Sequence, residues 1–272
     1  MSRIGKKFTE LKKRGEVALI PFVTAGDPDL KTTLRIMRAV EKGGADGIEL
    51  GVPFSDPTAD GPTIQRSSER AVMQGVTLAQ ILRLVRDFRR GSELPVILFG
   101  YFNRFFHYGV EKFCRQAAAA GADGILCVDL PPEESGELKR CTDREGLDLI
   151  FLLSPTSGPD RVRLVARKGR GFIYYVSVTG VTGARRHFDR QLRSQVDEVR
   201  RMTSLPVGVG FGISTPQQAA WIAGFADAAV VGSALVETIE KARGGAAKAE
   251  AALAFVAGLK RGIMSALKSR KA

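Results

Sequence analysis

The sequence predicts an α/β fold, one (β/α)8 TIM barrel spanning residues 1–272. Three observations lead there. The length is ordinary for such a barrel, which runs about 250 residues. Eight short apolar runs alternate with stretches of helical spacing. A faint repeat, GGADGIEL (43–50), AGADGILCV (120–128) and GFADAAVVG (224–232), gives one shape three times: a helix end, Ala-Asp, then a strand.

The chain opens with MSRIGKKFTELKKRG, where Phe8 and Leu11 beside Lys12 and Lys13 read as a short amphipathic helix. No apolar core follows its basic residues, so no secretory signal is expected. The expected strands follow in order: VALIPFV (17–23), DGIEL (46–50), PVILFG (95–100), DGILCVDL (123–130), LDLIFLL (147–153), FIYYVSV (172–178), PVGVGFG (206–212) and DAAVVG (227–232). Near-continuous apolar runs are what strands buried on both faces require. Helical patterns cover 30–42, 78–90, 110–120, 136–145, 160–168 and 216–223. Start signals precede several of them: Asp27-Pro28-Asp29, Ser157-Gly158-Pro159-Asp160 and Ser214-Thr215-Pro216. Basic helices past Lys241 complete the chain. A doubly wound open sheet is the competing fold, but no Gly-rich dinucleotide fingerprint follows the first strand.

The net charge is +12, and its location decides what it means. Residues 1–16 carry six Lys/Arg against two Glu, and residues 241–272 carry eight against Glu250 alone. The excess therefore sits on terminal helices rather than in a groove. A solvated basic face is the expectation, not a nucleic-acid or membrane surface. Cys114, Cys127 and Cys141 include no CxxC pair. That argues for small apolar core residues in a reduced, cytoplasmic chain and against a zinc site.

In a barrel, reactive groups stand at the carboxyl ends of the strands. Those ends carry Glu49, Asp129, Thr179 to Gly183, Gly210-Phe211-Gly212 and Gly232-Ser233. The small-residue turns GFGIST (210–215) and VGSALVE (231–237) lead into helices after strands 7 and 8, the usual place for a barrel's phosphate site. There, backbone N–H groups at a helix start suffice to bind the anion. TGVTG (179–183) can add further donors.

Several chemistries are excluded. No strand segment contains the lysine a Schiff-base aldolase needs. The two histidines, His107 and His187, are too few for a metal-dependent aldolase and have no acid at pairing distance in sequence. No nucleophile elbow supports acyl transfer. Carboxylate acid–base chemistry remains. Glu49, flanked by Ile48 and Leu50, is costly to bury ionised, so burial should raise its pKa into the range of a proton donor and acceptor. A structural ion pair with an arginine is the alternative. Asp60, in Thr58-Ala59-Asp60-Gly61-Pro62, reads equally as a turn residue bonding its own backbone, and Asp56 before Pro57 does so more strongly. The residues alone give a phosphate-binding barrel with one or two acid–base carboxylates.

The motifs PFVTAGDPD, IELGVPFSDPTADGPTIQ, AGADGILCVDLPPEE, SVTGVTGAR and VGFGIST, in that order from residue 20 to 215, resemble the tryptophan synthase alpha subunit family. GSALV extends the likeness to residue 236. The resemblance implies a barrel that cleaves indole-3-glycerol phosphate to indole and glyceraldehyde 3-phosphate without a cofactor of its own. It also implies an αββα complex with a pyridoxal-phosphate β subunit that receives the indole through a tunnel.

Carried over by motif, Glu49 is the general acid–base that protonates indole C3 and later helps collapse the glycerol side chain. Asp60 accepts the indole N–H and stabilises positive charge on the ring. Gly183, Gly212, Gly232 and Ser233 map to phosphate contacts, with Phe211 beside them. Phe22 and Tyr174 line the indole pocket. Thr182 closes against Asp60 as a lid, and Asp56 faces the partner. The sequence departs from the family at Val128 and Arg104, where prolines are usual. A catalytically quiet activator docking on the β subunit is the alternative reading. Retention of two costly acids argues against it, and aromatic Phe22, Tyr174 and Phe211 argue against a different substrate.

Overall fold

The computed structural model describes residues 2–177, 185–210 and 212–271, the side chains of 185–190 and 268–271 excepted. Eight parallel strands close into a barrel in chain order. They are β1 (Ala18–Thr24), β2 (Ile48–Gly51), β3 (Val96–Gly100), β4 (Gly124–Cys127), β5 (Asp148–Leu153), β6 (Ile173–Val176), β7 (Val207–Gly210) and β8 (Ala228–Val231). All eight expected strands are present, though most are shorter than the apolar runs that announced them. The helices among the described residues are α1 (Arg3–Arg14), α2 (Leu30–Lys42), α3 (Pro62–Met73), α4 (Leu78–Arg89), α5 (Phe102–Tyr108), α6 (Val110–Ala120), α7 (Gly136–Glu145), α8 (Pro159–Lys168), α9 (Arg185–Met202), α10 (Pro216–Ile222), α11 (Ser233–Lys241) and α12 (Gly245–Lys271). Each of the six helical patterns in the sequence corresponds to one of these, within one residue at either end.

Two of the three start signals work through their side chains, while α8 starts after Gly158 with Pro159 at its head and no side-chain cap. Asp29 accepts from the Thr32 N–H at the head of α2. Thr215 and Gln218 form a reciprocal capping box on α10.

Alternate strand residues point inward. Ala18, Ile20, Ile97, Leu126, Ile150, Phe172, Ala228 and Val230 form an inner core. Ile4, Phe8 and Leu11 of α1 join that core, and Phe8 meets Phe172 with ring centroids 5.7 Å apart. The N-terminal helix thus plugs the barrel's amino-terminal end, which leaves the carboxyl end for chemistry. The outward residues pack against the helices in a second, larger core that includes Val256, Leu259 and Ile263 of α12.

The Ala-Asp repeat has a structural origin. The side chain of Asp46 accepts the Leu19 N–H at 2.9 Å, that of Asp123 the Val96 N–H at 2.8 Å, and that of Asp227 the Val207 N–H at 2.9 Å. Each aspartate's own N–H returns a bond to the carbonyl of the same strand residue. A cation completes each clasp: Lys260 on Asp46, Arg89 and Arg3 on Asp123, and Arg200 on Asp227. The repeat therefore staples neighbouring strands at the floor of the barrel. The clasp also explains why β2 begins at Ile48 and not at Asp46.

Candidate active site

The site is built where β1, β2, β3, β6 and β8 end. Glu49 lies in β2 opposite Phe22 of β1 and Ile97 of β3. Its inward position follows from strand alternation, since Ile48 and Leu50 face the outer core. The carboxyl is 1% exposed, and its Oε1 has no hydrogen-bond partner among the described residues. No arginine among the described residues reaches it, so the ion-pair alternative finds no support there. Burial alone pushes its pKa up to about 8, the direction expected from the sequence.

Asp60 stands in the loop between β2 and α3, half-buried. Burial raises its pKa to about 6, against a lowering by the Tyr101 hydroxyl that donates to it at 3.0 Å. It is therefore more than a turn residue bonding its own backbone. The two carboxyls differ in their surroundings, so between about pH 6 and 8 one holds a proton and the other is ionised. Such a pair can give a proton at one atom while accepting a hydrogen bond from another.

The loop that carries Asp60 is fastened by α3. Ser68 bonds both the N–H and the carbonyl of Phe54, and Gln65 donates to the carbonyls of Asp60 and Pro57. Behind α3, Arg70 grips Asp27 through two 2.8 Å bonds and Glu240 of α11 at 2.6 Å. This network joins the ends of β1, β2 and β8.

Two glycines make room for the aromatic walls. A Cβ on Gly51 would lie 2.4 Å from the tip of the Phe22 ring, and one on Gly210 would lie 2.4 Å from the Tyr174 hydroxyl. Phe22 also meets Phe99 edge-on at 5.2 Å. Burial drives the Tyr174 phenol well above its ordinary pKa, and the charges of Glu49 and Asp60 add to the shift, which places all three groups in one electrostatic neighbourhood. Beside this wall a cavity of about 530 Å³ is lined by Val128, Asp129, Leu152, Arg161 and Val176, among others. Val128 and Leu152 pack with Tyr174 against the inner core.

At the opposite wall, Gly232 caps α11 without a side-chain hydrogen bond, leaving the first N–H groups of that helix for an anion. A Cβ on Gly232 would come 3.9 Å from Phe22, so the helix start opens beside the aromatic pocket. Ser233 is exposed there. Gly212 is exposed with φ of +58°, a backbone that favours glycine. The start of α10 differs, because Gln218 accepts from the Ser214 and Thr215 N–H groups and closes that end internally.

The structure thus brings Phe22, Glu49, Asp60 and Tyr174 to one neighbourhood and sets Gly232 at its edge. Asp56 is exposed in the same loop, and its carboxylate accepts the Ser55 hydroxyl. Thr182, Gly183 and Phe211 lie outside the described residues. Asp129, flagged as a strand-end acid, accepts the Phe102 N–H at 2.7 Å and so anchors the start of α5. Tyr101 escaped sequence reasoning. The available signal was its place directly after the third apolar run, at a strand end. Cys114, Cys127 and Cys141 are all buried. No cluster of metal-ligating side chains occurs among the described residues.

The sequence matches the profile of the family described as Tryptophan synthase alpha chain over residues 8–264. It is 58% identical to the tryptophan synthase alpha chain of Geobacter sp. (strain M21), over 97% of this chain and 98% of that one. The same figures hold for the alpha chain of Citrifermentans bemidjiense. Among solved structures, tryptophan synthase subunit alpha from Legionella pneumophila superimposes with a TM-score of 0.91 at 40% identity, covering 97% of this chain and 99% of that one. A tryptophan synthase chain from M. tuberculosis, in an aminoacrylate- and BRD0059-bound form, gives 0.87 at 34% identity, over 96% and 98% of the two chains.

Proposed function

Because this chain belongs to the tryptophan synthase alpha chain family, we propose that its two buried-mouth carboxyls divide the work of the alpha reaction between them. The chain is a carbon–carbon lyase that splits indole-3-glycerol phosphate into indole and glyceraldehyde 3-phosphate. In the proposed division, Glu49 delivers its proton to indole C3, the ring carbon that carries the glycerol side chain. Positive charge then builds on the ring nitrogen, where ionised Asp60 accepts the N–H. The Glu49 carboxylate takes the proton of the hydroxyl next to the ring. The carbon–carbon bond breaks, its electrons return to the ring, and indole and the aldehyde separate.

The observation that carries this reading is the placement of the two acids at one barrel mouth in unlike surroundings, Glu49 buried with its Oε1 unpartnered among the described residues and Asp60 half-buried on the Tyr101 hydroxyl. Phe22 and Tyr174 would hold the indole plane. The open start of α11 at Gly232 and Ser233 would hold the phosphate, with Gly212 and, on the family motif alone, Gly183 and Phe211. Thr182 is assigned as a lid over Asp60 on the same motif. No cofactor is needed in this chain for the proposed steps, and pyridoxal phosphate belongs to the β chain. The family implies a β-chain partner. An αββα assembly, with Asp56 on the face toward it, is our proposal for its form.

The test is indole release from indole-3-glycerol phosphate by the purified chain, with and without a β chain. Glu49→Gln and Asp60→Asn should each lower kcat by at least a hundredfold in both conditions, as loss of general acid–base catalysis requires. Full release by Glu49→Gln would remove that residue from the chemistry.

A further inference from the structure

Asp60 sits in a loop whose neighbours Thr58 and Ala59 are exposed, an unpromising place for a group that must meet one ring nitrogen. A carboxylate on such a turn samples several rotamers unless something rigid holds it. Tyr101 supplies the rigid point. It follows the last residue of β3 and caps α5, so its backbone is fixed by the barrel and not by the loop. The residue is 3% exposed, and its ring packs against Phe54, tilted by 32° with centroids 5.1 Å apart. From there its hydroxyl reaches two successive loop residues. It accepts the Ala59 N–H at 3.0 Å and donates to Asp60 Oδ2 at 3.0 Å.

We propose that Tyr101 is the positioning residue of the alpha reaction: it aims the Asp60 carboxylate and keeps it in the form that can accept the indole N–H. The inference rests on the role given to Asp60 above and adds to it a residue whose hydroxyl bonds Asp60 and its loop neighbour Ala59. The chemistry is directional. A hydroxyl whose lone pair already receives the Ala59 N–H turns its proton toward Asp60. A donated proton favours an ionised carboxylate over a protonated one. The Tyr101 hydroxyl accordingly lowers the Asp60 pKa against the raising effect of burial. Only one oxygen is used, and Oδ1 takes no bond among the described residues. One atom is therefore held while the other is left for a ligand.

Tyr101→Phe tests this, because the ring, its burial and its packing against Phe54 are kept and only the hydroxyl is lost. We expect kcat to fall roughly ten- to a hundredfold, the loss typical of removing a hydrogen bond to a charged group. The acid limb of kcat/KM should also move to higher pH, since Asp60 loses the bond that lowers its pKa. A merely structural role would not move that limb. In an Asp60→Asn background the same substitution should change kcat less than threefold. Asp60→Asn inactive with Tyr101→Phe at wild-type rate and unshifted limb would overturn the role of Tyr101 alone. So would an equal fold-loss from Tyr101→Phe in both backgrounds. Full activity in Asp60→Asn would overturn the role of Asp60 and the proposal with it.

Discussion

Glu49 is a carboxyl that folds into the barrel with its proton on, and that has a thermodynamic consequence. Its pKa is raised by burial from 4.5 to about 8, so the folded chain keeps a proton that the unfolded chain releases above pH 4.5. Stability from this residue is full below about pH 4.5 and is lost as pH rises toward 8, at roughly 1.4 kcal/mol per unit. Glu49→Gln has no such dependence. The variant's stability advantage in urea unfolding should grow from near zero at pH 5 to roughly 2–4 kcal/mol at pH 8. Parallel curves would mean that Glu49 is ionised in the folded state. The strand-end position and apolar flanks of Glu49 were legible in the sequence, and so was the direction of its shift. That no arginine among the described residues pairs with it was not, because pairing across a barrel mouth depends on residues far apart in the chain. Tyr101 was hidden for a similar reason: its hydroxyl acts on a loop 41 residues earlier.

At the scale of elements, the strands were legible because each is buried on both faces and so is nearly all apolar. The tight ends were less so. DGILCVDL reads as one run, yet β4 stops at Cys127, because Asp129 leaves the sheet to bond the Phe102 N–H of α5. Helix α3 begins inside a motif read for its acids, and its fastening of the Asp60 loop through Gln65 and Ser68 could not be seen from spacing. Glycines at strand ends were read as possible phosphate contacts or tight turns. Gly51 and Gly210, not among those contacts, provide hollows for Phe22 and Tyr174. Gly210→Ala should force the Tyr174 ring out of its place, since the new Cβ would sit 2.4 Å from the hydroxyl and 2.9 Å from the ring. We expect KM for indole-3-glycerol phosphate to rise at least tenfold, with a loss of about 1–3 kcal/mol in stability from overpacking. An unchanged KM would show that Tyr174 does not wall the substrate pocket.

For the whole molecule, the eightfold order of strands was legible from alternation, and the repeated Ala-Asp was legible as a pattern but not as a device. The clasps at Asp46, Asp123 and Asp227 lie at the barrel floor, the end plugged by α1. They account for part of the basic excess at the termini: Arg3 and Lys260 are drawn into them, and Lys248 caps the carbonyl end of α11. The C-terminal segment is thus a working layer of the barrel, and the family profile reaches residue 264. No helix among the described residues is long and apolar enough to cross a membrane. With the clasps at the floor, the mouth holds two acids in different environments, and burial raises the pKa of Glu49 to about 8 and that of Asp60 to about 6. The most direct test of that arrangement is kcat/KM for indole release as a function of pH, measured from pH 5 to 9.5. The account predicts a bell, falling below about pH 6 as Asp60 gains its proton and above about pH 8 as Glu49 loses its own. A profile that stays level through both regions would contradict it.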